Sequence, residues 1–94
     1  MGVYDKIILP KLLDNGCVKR TPNKEALKAF GMKLRELRKD KGLTQETLSY
    51  LADIELSTLN RIELGKAGTS LTNVFAICEA LGVHPKQLFD FNLP

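Results

Sequence analysis

A chain of 94 residues, 44% hydrophobic and 27% charged with a net charge of +3, has the make-up of a single folded domain and not of a disordered, collagenous or disulfide-built protein. Its longest run without a charged side chain, 67–78, is far short of the roughly 20 apolar residues that cross a bilayer, and Pro10 and Lys11 break the apolar start. The sequence therefore predicts no membrane segment and no secretory leader, and the expected compartment is the cytoplasm. Cys17 and Cys78 stand far apart and His84 is the single histidine, so neither a zinc or other metal site nor a disulfide framework is expected, and no cofactor is predicted.

Residues 1–22 read as an arm. Pro10, Asp14-Asn15-Gly16 and Thr21-Pro22 punctuate it, and Ile7, Ile8, Leu9, Leu12 and Leu13 form one short apolar cluster. Such a segment either caps the core as a tail or serves as an arm that dimerises or binds a protein partner. A domain follows over 23–94. Asn23 is a natural N-cap, and Leu27, Phe30, Leu34 and Leu37 recur at the spacing of an amphipathic helix that Gly42 stops. Thr44 caps a second helix with Gln45 and Glu46 in its first turn and a buried stripe of Leu48, Leu51 and Ala52. Asp53 interrupts it. A third helix over about 55–64 buries Leu59 and Ile62 before Gly65. Ser70 opens a fourth with the stripe Val74, Ile77, Cys78 and Leu81, closed by Gly82. Pro85 starts a short fifth that carries Leu88 and Phe89. The fold class that follows is all-α, with five helices.

Residues 44–66 carry the chemistry. Two short helices that cross steeply need a small residue at the contact, a tight turn and apolar anchors on both sides. Ser49 supplies the first, Ala52-Asp53-Ile54 the second, and Leu48, Ile54, Leu59 and Ile62 the third. The turn calls for positive φ, which Asp53 is among the few side chains to tolerate. At about 100° of turn per residue, Leu59 and Ile62 fall on one side of the third helix. Leu56, Ser57, Asn60, Arg61 and Leu64 fall on the other. Asn60 has the paired amide atoms to bond an adenine edge, Arg61 fits guanine or phosphate, and Leu56 packs on a thymine methyl. Thr44, Gln45 and the free amides beside them suit a phosphate. Lys66 and the loop through Thr69 offer a second clamp. No paired carboxylates, nucleophile and base, or metal cluster point to an enzyme.

Leu34-Arg-Glu-Leu-Arg38, Gly42-Leu-Thr-Gln45, Ser57-Thr-Leu-Asn-Arg-Ile-Glu63, Gly65-Lys66, Ala80-Leu-Gly-Val83 and Leu88-Phe89 follow one another in order over about two thirds of the chain. Together they resemble the phage-repressor and Cro-like helix-turn-helix family of transcription regulators, the Xre family. The resemblance implies a lambda-repressor-like domain that binds an inverted-repeat operator on double-stranded DNA as a homodimer, its third helix in the major groove, most simply as a repressor. It puts Glu55, Leu56, Ser57 and Asn60 at base-reading positions and makes Arg38 and Glu63 an architectural ion pair. Members often carry Ser or Thr in place of Glu55 and Arg or Gln in place of Leu56. Glu55 therefore either accepts from a cytosine amino group or weakens binding by repelling phosphate. Phe89, Phe91 and Leu93 are the candidates for the two-fold interface. The second reading is an antitoxin or regulatory subunit that holds a protein partner through residues 1–22.

Charge is divided along the chain. Through Lys41 there are eleven basic and five acidic residues, net +6, and from Gly42 onward three basic and six acidic, net −3. The third helix lies in the acidic half, so groove fit and dimerisation are expected to matter more than bulk phosphate attraction.

Overall fold

The computed structural model describes residues 23–92, so the expected arm over 1–22 and Leu93 lie outside the described residues. Helix α1, Lys24–Asp40, starts where the Asn23 side chain accepts from the amide of Ala26 at 3.0 Å. It ends before Gly42, whose φ of +72° turns the chain away. Helix α2, Gln45–Ala52, is capped by Thr44, which accepts from the amide of Thr47 at 3.0 Å. Asp53 then takes a φ of 56°, the left-handed conformation that the tight turn requires. Helix α3, Leu56–Glu63, follows and stops at Gly65, with φ +75°. Ser70 caps α4, Leu71–Leu81, and Gly82 closes it. His84 caps α5, Pro85–Leu88: its Nδ1 accepts from the Lys86 amide while Gln87 Oε1 accepts from the His84 amide. The described residues form these five helices and no strand.

Helices α1 and α3 pack together, α2 packs on both α3 and α4, and α5 closes the bundle against α1 and α4. The core is Phe30, Leu34 and Leu37 from α1, Leu48 and Ala52 from α2, Leu59 and Ile62 from α3, Val74, Ile77, Cys78 and Leu81 from α4, and Leu88 from α5. Every expected stripe residue of α3 and α4 is buried. Cys78 is part of this core, and burial pushes its thiol up from its ordinary value.

One stripe differs from expectation. On α2 the buried residues are Leu48, Ser49 and Ala52, whereas Leu51 is 52% exposed beside Tyr50. The three buried positions centre on one azimuth, and Leu51 sits about 100° from it. Leucine's apolar character suggested the core, but in a helix of eight residues the small Ser49 is what allows close packing. Its hydroxyl is satisfied locally, donating to the Glu46 carbonyl at 2.8 Å.

Gly31, in mid-helix, sets how closely α1 approaches the end of α3. A Cβ there would lie 2.4 Å from the Ile62 carbonyl oxygen and 2.5 Å from that of Glu63. In an exposed helix Gly→Ala stabilises by about 1 kcal/mol. Here the clash is with backbone that cannot move alone, and Gly31→Ala is expected to cost about 2 kcal/mol net in urea unfolding. An unchanged or higher midpoint would contradict this packing.

Candidate nucleic-acid interface

The interface is built around two buried charges. Arg38 on α1 and Glu63 at the end of α3 are 8% and 5% exposed. Arg38 Nε donates to Glu63 Oε2 at 2.7 Å and Nη2 donates to Oε1 at 3.1 Å, the paired fork geometry of guanidinium and carboxylate. The remaining terminal nitrogen, Nη1, donates to the Leu43 carbonyl at 2.8 Å. Leu43 immediately precedes the Thr44 cap, so one guanidinium ties together the end of α1, the start of α2 and the end of α3. No buried side-chain polar atom among the described residues lacks a partner.

The same carboxylate reaches outward. Glu63 Oε1 also accepts from Gln45 Nε2 at 2.9 Å, and that nitrogen donates a second time, to Asn60 Oδ1, at 3.3 Å. Gln45 is half-buried at the first position of α2, whereas Asn60 is exposed on α3. An open cleft of about 600 Å³ lies between these elements, with Thr44 and Gln45 on one wall and Leu56, Asn60 and Leu64 on the other.

Leu56, Ser57, Asn60, Arg61 and Leu64 are all exposed, while Leu59 and Ile62 on the opposite side are 0% and 1% exposed. The structure thus brings the five expected surface residues of α3 onto one outward face. Glu55 is the N-cap of α3, but its side chain makes no capping hydrogen bond, leaving the carboxylate uncommitted at the positive end of the helix dipole. Lys66 is exposed, its amide bonded to the Arg61 carbonyl at 2.9 Å. Thr69 is partly buried, and its hydroxyl oxygen accepts from Asn73 Nδ2 at 2.9 Å, which anchors the loop to α4. Phe89 and Phe91 share an apolar cavity with Ala67, Gly68 and Thr69 of that loop and with Phe30 of α1. The Phe89 ring is 5.2 Å from that of Phe30 and 48% exposed, and Phe91 packs partly buried against the core.

Sequence reasoning missed three elements of this arrangement. Gly31 carried a signal, a glycine inside a strong helical pattern. The donation from Arg38 to Leu43 and the chain from Glu63 through Gln45 to Asn60 carried none, because each joins residues whose closeness only the packed fold creates. Among the described residues no group of His, Cys, Asp and Glu gathers to hold a metal ion, and no helix is long and apolar enough to cross a membrane.

A helix-turn-helix family model matches residues 34–88, which contain every element of this face. The chain belongs to that family and is a DNA-binding transcription regulator. It is similar to the control protein C.BamHI of Bacillus amyloliquefaciens, 41% identical over 63 residues that span 66% of this chain and 78% of that one. Among solved structures it resembles the restriction-modification controller protein C.AhdI from Aeromonas hydrophila. That match is 43% identical with a TM-score of 0.66, covering 67% of this chain and 96% of the other. The clp gene regulator ClgR from C. glutamicum superposes with a TM-score of 0.65 at 28% identity, over 73% of this chain and 87% of ClgR.

Removing one partner of a buried ion pair strands the other charge. Glu63→Ala is expected to destabilise the protein by about 3–5 kcal/mol, and Arg38→Met with Glu63→Leu by much less. Urea unfolding of Glu63→Ala, of Arg38→Met and Glu63→Leu singly, and of their double variant measures this. Additive losses would mean that the two side chains do not act as a pair.

Proposed function

We propose that this protein is a controller of the restriction-modification type, which binds an inverted-repeat operator as a homodimer with α3 of each protomer in the major groove. The observation that carries the reading is the division of α3. Leu59 and Ile62 are sealed in the core, and an uninterrupted exposed face combines an amide, a guanidinium, a hydroxyl and apolar groups. That mixture is suited to base edges, whereas a purely basic face would suit phosphate alone. The similarity to C.BamHI and C.AhdI, which extends over most of both proteins, supports the assignment to controllers.

In this reading Asn60, Arg61, Leu56 and Ser57 meet the bases, and Glu55 accepts from a cytosine amino group. Thr44 and the free amides of Gln45 and its neighbours at the start of α2 hold one backbone phosphate. Lys66 and the loop through Thr69 hold another. The half-exposed Phe89, with Phe91 beside it, supplies the two-fold contact, and Leu93, which lies outside the described residues, is the third candidate by sequence. This contact sets the two α3 helices about one DNA turn, ~34 Å, apart.

Selection of bound DNA from a random pool is expected to enrich an inverted repeat. Asn60→Ala with Arg61→Ala should lower affinity for the selected site by roughly 30-fold or more. Failure to enrich any sequence at low salt would overturn the reading. In sedimentation at tens of micromolar the protein is expected to be a dimer and Phe89→Asp a monomer. A dimer unaffected by that substitution would remove Phe89 from the interface.

A further inference from the structure

The hydrogen bonds between the buried ion pair and the exposed face of α3 have a direction that the chemistry of each group forces. A carboxylate has only acceptor capacity. Glu63 Oε1, already accepting from Arg38, therefore accepts only the NH₂ end of the Gln45 amide, and it does so at 2.9 Å. With Nε2 turned inward, its second hydrogen points along the cleft to Asn60 at 3.3 Å, where an NH₂ group would oppose it donor to donor. The Asn60 amide must therefore present Oδ1 to Gln45, which leaves Nδ2 as its free end. Gln45 and Asn60 come from different helices, fifteen residues apart, and no local rotamer preference would set them this way.

Resting on the DNA-reading role of α3 proposed above, we propose that Glu63 and Gln45 are positioning residues that fix which end of the Asn60 amide faces the base pair. The end they turn outward is the donor. Asn60 then selects a base edge that offers acceptors, foremost guanine with O6 and N7, and rejects cytosine, whose N4 donates. Adenine needs a donor and an acceptor side by side. Guanine needs only the outward Nδ2, whereas adenine also needs the second lone pair of Oδ1 to reach N6, and Gln45 holds that oxygen toward the cleft. Base choice at one position of the operator is in this way set from the core of the domain.

Gln45→Leu and Gln45→Ala remove the bridge and one of the bonds to Glu63, which keeps both bonds to Arg38. The test is selection from a random DNA pool with the full chain, the two Gln45 variants, Asn60→Ala and Asn60→Asp, each checked for folding by its thermal melt. The position that loses its preference in Asn60→Ala is the one Asn60 reads. There the unaltered protein is expected to select guanine. The Gln45 variants are expected to remain folded and to admit adenine and cytosine, with discrimination reduced roughly tenfold. Asn60→Asp, which still accepts from Gln45 but has no donor to offer, is expected to shift the choice to cytosine. An unchanged preference at that position in folded Gln45 variants, with affinity lowered equally for all sequences, would make Gln45 a backbone contact and overturn the proposal. Loss of folding in both Gln45 variants would make it a structural residue and overturn the proposal as well. A pool from which the unaltered protein enriches nothing would instead overturn the DNA-reading role itself.

Discussion

Everything at the recognition surface depends on how Arg38 and Glu63 meet inside the domain. Burying two opposite charges is expensive, and the attraction between them offsets the lost hydration only when the remaining donors and acceptors are also satisfied. That condition is met here in a particular way. Both carboxylate oxygens are engaged by Arg38, the spare guanidinium nitrogen donates to the Leu43 carbonyl, and the spare acceptor capacity of Glu63 is used by Gln45. The pair therefore contributes geometry more than net stability. It holds the end of α1, the cap of α2 and the end of α3 in one arrangement, because any other leaves a buried charge short of partners.

Helix α3 needs such support. Eight residues are too few for a helix to persist alone in water, and half of its surface must stay exposed to meet a ligand. Leu59 and Ile62 anchor its inner side, the turn at Asp53 fixes its start, and Gly31 lets its end lie directly on α1. A reading helix built in this way presents its side chains from a fixed frame, which lowers the ordering cost on binding. The division of charge along the chain fits the same picture. The reading helix lies in the acidic half, so a long-range field contributes less to its selectivity than the shape and hydrogen-bond pattern of the exposed face.

Most of the fold was legible in the sequence, since its punctuation is local. Asn23, Thr44 and Ser70 accept from the amides three residues on, as their side-chain chemistry dictates. Gly42, Gly65, Gly82 and Asp53 all take positive φ where the helices stop. The two faces of α3 were legible for the same reason, since period alone separates them. Leu51 was not, because residue type and helical period disagreed and packing followed the small Ser49. The pairing of Arg38 with Glu63 rested on resemblance to a family, as no spacing rule links residues 38 and 63. The bridge through Gln45 was beyond reach altogether, because it requires the packed positions of three side chains on two helices.

In the proposed reading, recognition turns on the α3 face meeting DNA with the Asn60 amide held in one orientation. NMR of the protein bound to its selected operator, following the side-chain NH₂ protons of Asn60 and Gln45, tests this most directly. The expected result is a set of close contacts from the Asn60 Nδ2 protons to base protons in the major groove, with the Gln45 Nε2 resonances little changed by DNA. Asn60 protons that face Gln45, with DNA contacts confined to other surfaces of the protein, would contradict it.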